Sequence, residues 1–265
     1  MKRYRVKPDD HLDLGDIDPR ETAEAPGDKD ETLAESAKLQ KKLEALQEVL
    51  FAEHQHKVLI VLQGMDTSGK DGATRFLMGG FNSQGVQIVP FKKPTEIELD
   101  HDFLWRVHPH APGRGNIAIF NRSHYEDVLV VRVHELVPED VWRERYKQIR
   151  EFEELLAGSG TTILKFFLHI SRDEQRERLQ ARVDDPKKRW KFAHGDLEER
   201  KLWDDYRKAY EDALAKTSTK DAPWYVVPAD RKWYRNYVVG SIVVDAMEGL
   251  GMKYPQPEIG DVMIE

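Results

Sequence analysis

Residues 57–72, KVLIVLQGMDTSGKDG, carry an apolar run that stops on glycine and restarts as a helix at a lysine. Few folds accept that pattern. Val58–Leu62 is short, uninterrupted and rich in β-branched residues, as a strand buried on both faces of a parallel sheet must be. Gly64, Gly69 and Lys70 then fit G-x-x-x-x-G-K, and Lys70–Met78 carries a helical pattern. Such a loop turns backbone N–H groups toward phosphate oxygens at a helix N-terminus and adds one lysine charge. Gly64, Met65, Thr67, Ser68, Gly69 and Gly72 are therefore the expected cradle around Lys70. A glycine-rich turn without a ligand shares the pattern, but the order of strand, loop and helix argues against it.

Two acids depart from the ordinary motif. Asp71 stands where a hydroxyl commonly meets Mg²⁺, and Asp66 lies inside the loop. Carboxylates in a phosphate cradle repel the ligand unless a metal or an incoming acceptor meets them. The expectation is a loop that binds phosphates together with Mg²⁺ (or Mn²⁺), with Asp66 as a metal ligand. Asp71 would handle the metal or its waters, or cap the helix that follows.

The rest of the chain alternates. Strand-like runs lie at Val58–Leu62, Val86–Phe91, Ile117–Phe120, Thr161–Ile170 and Trp224–Val227. Helical patterns occupy 31–54, 138–156, 172–183, 197–216 and 232–250. This alternation predicts an α/β fold, a mostly parallel five-stranded sheet flanked by helices. Residues 1–30 are polar and read as an extended or partly disordered arm. Residues 31–265 read as a single domain, interrupted by a Pro-containing cationic stretch at 184–195. The amphipathic helix 31–54, and Tyr237, Val238, Ile242 and Val243 of the last helix, would serve an oligomer interface or pack on the sheet.

A second acidic site follows the third strand, in NRSHYEDV. The carboxyl ends of central strands are where ligands sit in open parallel sheets. Arg122 would reach a phosphate there, and Glu126 and Asp127 would complete the metal shell or position an acceptor, Asp127 being the better candidate. Residues 172–191 hold eight Lys or Arg against five acids, a surplus of three positive charges in a chain of net charge −7. Arg178 and Arg182 are four apart and share a helical face. With Lys187 and Lys188 they suggest a lid of cations over transferring phosphates, although a charged surface helix would look the same. Lys92 and Lys93 end the second strand and would face the same cleft. Trp203, Tyr206 and Tyr210 recur at helical spacing and read as packing residues. The histidine pairs at 54–56 and 108–110 lack a third metal ligand.

Composition narrows the class. The 265 residues contain no cysteine, which excludes disulfides and thiolate chemistry. The net negative charge speaks against a nucleic-acid partner. No apolar run is long enough for a membrane span, and the polar start lacks a signal-peptide core, so a cytoplasmic enzyme is expected.

GMDTSGKDG, FNRSHYEDVLV and RVDDPKKRWKF, in this order, resemble the polyphosphate kinase 2 family, and the similarity runs from about residue 35 to 255. The resemblance implies a thymidylate-kinase-like P-loop fold with a helical lid at about 178–200. It implies Mg²⁺-dependent phosphoryl transfer between inorganic polyphosphate and AMP, ADP or ATP, or their guanine counterparts. Family roles carry over to Asp66, Lys70, Arg122 and Arg182, with Lys92 or Lys93 near the polyphosphate channel. Many members read FDRSWYNR, so Asn121 replaces an acid whose role is left open or passes to Asp127. The NRSHYED form is similar to the subgroup that accepts both AMP and ADP, and the family favours a homo-oligomer, dimer or tetramer. The rivals are an ATP-dependent nucleoside monophosphate kinase and a nucleotide-binding regulatory module.

Overall fold

The computed structural model describes residues 1–8 and 11–256. Five strands, β1 Lys57–Gln63, β2 Val86–Pro90, β3 Ile117–Asn121, β4 Thr161–His169 and β5 Trp224–Pro228, form one parallel sheet in the order β2-β3-β1-β4-β5. Every expected strand is present, with ends shifted by one residue at most positions. Val58–Gln63 are all buried, because β1 sits at the centre with helices on both faces. The connections leaving β1 and β4 run to opposite sides of the sheet, which opens a crevice at their carboxyl ends.

The helices are α1 Lys29–Glu53, α2 Lys70–Met78, α3 Glu96–Leu99, α4 Val130–Val133, α5 Glu139–Gly158, α6 Arg172–Asp184, α7 Gly195–Lys201, α8 Trp203–Thr217 and α9 Lys232–Glu248. The single pattern expected over 197–216 is two helices that meet at Leu202. Among the described residues no helix is long and apolar enough to cross a membrane.

Helix α1 begins in a capping box between Asp28 and Glu31, and ends on His54 in the left-handed region. Its buried stripe is Thr32, Ser36, Leu43, Gln47 and Leu50, whereas Leu33 is exposed. Polar contacts explain the offset: Gln40 Nε2 donates to the Phe76 carbonyl at 2.7 Å and Gln47 Nε2 to that of Gln84 at 2.8 Å. Val238, Ile242 and Val243 of α9 are buried in the core, so they serve packing.

The first residues cover an edge strand. Val6 N–H donates to the Trp224 carbonyl at 2.9 Å, Arg5 bridges Tyr225 antiparallel, and the Tyr4 and Tyr234 hydroxyls meet. Further on, His169 Nε2 contacts the Ile17 carbonyl at 3.0 Å and Asp230 N–H donates to that of Pro19 at 3.1 Å. The arm is thus pinned along β5 and the carboxyl end of the sheet.

One buried cluster fixes the exit of β3. Lys165 of β4, fully buried, donates to Glu153 of α5 at 2.5 Å, to the Tyr125 hydroxyl at 2.8 Å and to the Thr217 carbonyl at 2.8 Å. His124 and Tyr125 also bind Glu153. Burial pushes the Glu153 carboxyl up, but Lys165 and His124 together hold it below its usual range. The turn 124–127 is therefore bolted to α5 and β4.

Candidate active site

The loop after β1 folds as its glycines require. Gly64 and Gly69 have φ of 150° and 102°, and a Cβ on Gly64 would lie 2.7 Å from the Leu168 carbonyl. Thr67, with φ of 64°, holds the left-handed region without that freedom, a strain typical of functional loops. Among the described residues the buried Thr67 and Ser68 hydroxyls have no hydrogen-bond partner. Orphaned buried hydroxyls are uncommon in native folds, and phosphate oxygens would satisfy both.

Lys70, at the start of α2, folds back so that Nζ donates to the Gly64 carbonyl at 2.6 Å and to that of Met65 at 3.3 Å. Burial and the Arg122 charge bring its ammonium down to about 8, against the pull of Asp66, Glu126 and Asp71. An anion in the cradle would restore the cation.

The opposite wall comes from β3. Asn121 Nδ2 donates to Asp71 Oδ1 at 2.8 Å, tying the strand end to the first turn of α2. Arg122, also left-handed at φ 63°, places its guanidinium 3.1 Å from Asp66 and 3.6 Å from Glu126. Burial opposes its charge, but Glu126 and Asp66 more than compensate and leave it raised. Glu126 also accepts from Gln63 Nε2 at 3.1 Å.

Asp127 departs from expectation. Its carboxylate turns to Arg145 of α5, 2.9 Å away, and burial lifts it to about 6 against Arg145 and Arg106. The turn 124–127 sends the two neighbouring acids in different directions, and Glu126 is the one facing the cleft. Arg178 also differs. It donates to the carbonyls of Thr67, Ser68, Ala229 and Asp230 at 2.7–3.0 Å, so it braces the loop from below.

Arg182 does face the cleft, beside Lys191 and Asp196, with Asp196 3.7 Å from its guanidinium. Lys187 and Lys188 are exposed on the segment between α6 and α7, and Lys188 pairs with Asp185 at 2.8 Å. Lys92 and Lys93 are exposed after β2 and line neither lobe of the cleft described next.

The cleft has two lobes that share Asp66, Lys70 and Arg122. One is polar, running along Asp71 and Asn121 to Arg182 and Lys191. The other is walled by Leu129, Val130, Trp203, Tyr206 and Tyr210, with Glu126 at its base. Trp203, Tyr206 and Tyr210 are thus cleft residues as well as packing residues; their helical spacing was visible, but the facing wall was not. Gln63 and Gln175 escaped the sequence reading altogether. Gln175 Nε2 donates to the Asp66 carbonyl at 3.1 Å and steadies the loop acid.

Among the described residues no three His, Asp or Glu side chains gather as a metal cage. Mg²⁺ needs none where one or two carboxylates share it with substrate phosphates. Asp66 at the junction of the lobes and Glu126 in the aromatic lobe, each beside Arg122, fit that role; Asp127, turned toward Arg145, does not.

A parallel sheet, a glycine loop with a half-buried lysine and a two-lobed cleft rimmed by arginines define a P-loop enzyme of phosphoryl transfer. The sequence model of the polyphosphate kinase 2 family matches residues 27–255, and the chain belongs to that family. An AMP/ADP-polyphosphate phosphotransferase of Meiothermus ruber is 59% identical over 258 residues, 97% of each chain. An ADP-polyphosphate phosphotransferase of Rhodopseudomonas palustris is 49% identical over 81% of this chain and 78% of its own. The crystal structure of polyphosphate kinase 2 from Arthrobacter aurescens TC1 superposes with a TM-score of 0.95 at 44% identity, covering 98% of this chain and 93% of that one.

Proposed function

We propose that this enzyme transfers the terminal phosphoryl group of inorganic polyphosphate to AMP and to ADP, forming ADP and ATP. The observation that carries the reading is the pair of lobes meeting at Asp66, Lys70 and Arg122. The polar lobe suits a phosphate chain that needs only charge along its length. The aromatic lobe suits a nucleoside, with its phosphate directed to the junction. The terminal P–O–P bond breaks there and a new P–O bond forms to an acceptor phosphate oxygen.

Phosphoryl transfer asks for alignment and neutralised charge, without a covalent nucleophile. Lys70 and the α2 N-terminus hold the donor phosphates, and Arg122 orients the acceptor phosphate at the junction. Arg182 approaches from the lid side and balances charge on the transferring group. Asp66 and Glu126 would hold Mg²⁺ (or Mn²⁺), which when bound screens the phosphate charges. The relatives named above support the donor and both acceptors. The same reading carries a cytoplasmic homo-oligomer, whose subunit number light scattering checks.

The test is nucleotide production from long-chain polyphosphate and Mg²⁺ with AMP or ADP, in the absence of ATP. Product from both acceptors is expected, falling about a thousandfold in Lys70→Ala. Transfer from ATP to a monophosphate, with none from polyphosphate, would replace this reading by an ATP-dependent monophosphate kinase.

A further inference from the structure

Arg235 lies in the first turns of α9, 3% exposed, behind the phosphate loop. Among the described residues its only hydrogen-bond acceptor is the Asn236 side-chain oxygen, at 2.7 and 3.1 Å. Among the described residues the charged groups that act with it, Arg178 and Lys232, are both cations. The contrast with Arg178 is informative, since that guanidinium is satisfied by four carbonyls and Glu174.

Its position explains two glycines. A Cβ on Gly69 would overlap Arg235 Nη1, and one on Gly72 would lie 2.8 Å from Nη2. The loop and the first turn of α2 are thinned where the guanidinium presses against them. Helix α9 has no acid in its first turn, so its positive end reinforces the charge, as does Lys232. A buried guanidinium without a carboxylate is strongly unfavourable by itself. An anion on the other face of the loop would offset it.

We infer that Arg235 is a positioning residue for the phosphate-chain donor, holding positive potential against Gly69 and Gly72 that a polyanion in the cradle completes. The inference rests on the polyphosphate reading above and adds a determinant of donor affinity. The charge is fixed before the ligand arrives, so no reorganisation opposes binding. At the separation of one backbone layer, a partly screened unit charge changes affinity for a polyanion by about tenfold or more.

The experiment compares the full-length wild type with Arg235→Met, Arg235→Gln and Arg235→Lys. It reads Tm with and without tripolyphosphate, and the steady-state constants with long-chain polyphosphate and ADP. Arg235→Met should keep or raise the Tm of the unliganded protein and lose most of the tripolyphosphate-induced rise. Its KM for polyphosphate should rise about tenfold or more while the KM for ADP stays within about twofold, and Arg235→Lys should recover most of the difference. A merely structural arginine predicts the reverse: lower unliganded Tm, with an unchanged ligand-induced rise and an unchanged polyphosphate KM. That result overturns the inference. If the Met variant fails to fold, the Lys and Gln pair decides: equal polyphosphate KM in both overturns it, and a lower KM in Lys supports it. A wild type that tripolyphosphate does not stabilise would instead count against the donor reading itself.

Discussion

The floor of the cleft and the cationic segment 187–191, the proposed lid, carry similar charges under opposite conditions. On the floor, Lys165 and Arg178 are held by partners from other elements, Glu153 at 2.5 Å and the Thr67 carbonyl at 2.9 Å. Lys70 is held by the Gly64 and Met65 carbonyls of its own loop at 2.6 and 3.3 Å; Lys165 is buried and the other two half-buried. On the lid, Lys187, Lys188, Arg189 and Lys191 are exposed, Trp190 is 78% exposed, and the pairs are local ones such as Lys188 with Asp185. Exposed pairs are worth about 1 kcal/mol or less, so they exchange readily for a substrate phosphate. The floor fixes geometry before the substrate comes; the lid keeps its charge available.

The sharpest way to break this contrast is Lys165→Met. Leaving Glu153 buried without its main partner should destabilise the fold by about 3–5 kcal/mol, measured by urea unfolding. An equally large loss from any single lid substitution would erase the distinction. Next in size is Arg182→Ala, expected to lower kcat about a hundredfold while unfolding free energy stays within about 0.5 kcal/mol of wild type. Loss of stability in that variant would move Arg182 to the floor class.

The two regions should also answer to different variables. Lys70 is a cation below about pH 8 and loses its charge as pH rises through that value, whereas arginines keep theirs. The kcat/KM for polyphosphate should therefore fall above pH 8, by up to about tenfold per unit, and a profile flat to pH 10 would rule out a titrating floor. Smallest is the double change Lys187→Ala with Lys188→Ala. It should raise the KM for long-chain polyphosphate only a few-fold, and the difference should vanish near 1 M salt, where the Debye length is about 3 Å.

Much of this was legible in the sequence because it was local. The strands, the loop and the helix that starts at Lys70 follow from short-range pattern, and Arg122 from its place after a central strand. What stayed hidden depended on contacts across the chain. Nothing in the turn 124–127 distinguishes Glu126 from Asp127 until Arg145, 18 residues on, claims one of them. Spacing put Arg178 and Arg182 on one helical face, but only the packed loop shows that the first is bound by backbone carbonyls. Arg235 sits in an unremarkable helix start and becomes legible only against Gly69 and Gly72. Likewise α1 reads as a leucine stripe, whereas Gln40 and Gln47 set its rotation by reaching carbonyls of the next elements.

Asp230 has a consequence for anyone handling the protein. Its carboxylate accepts from Arg20 at 3.1 Å and from both the N–H and hydroxyl of Ser171 at 2.8 Å, and its own carbonyl accepts from Arg178. Ser171 caps α6, the helix that carries Arg182 toward the cleft. The base of the lid and the beginning of the chain are therefore tied at one knot. An affinity tag or a trimmed start near residue 20 is not a remote alteration, because it pulls on the cap of the helix that presents Arg182.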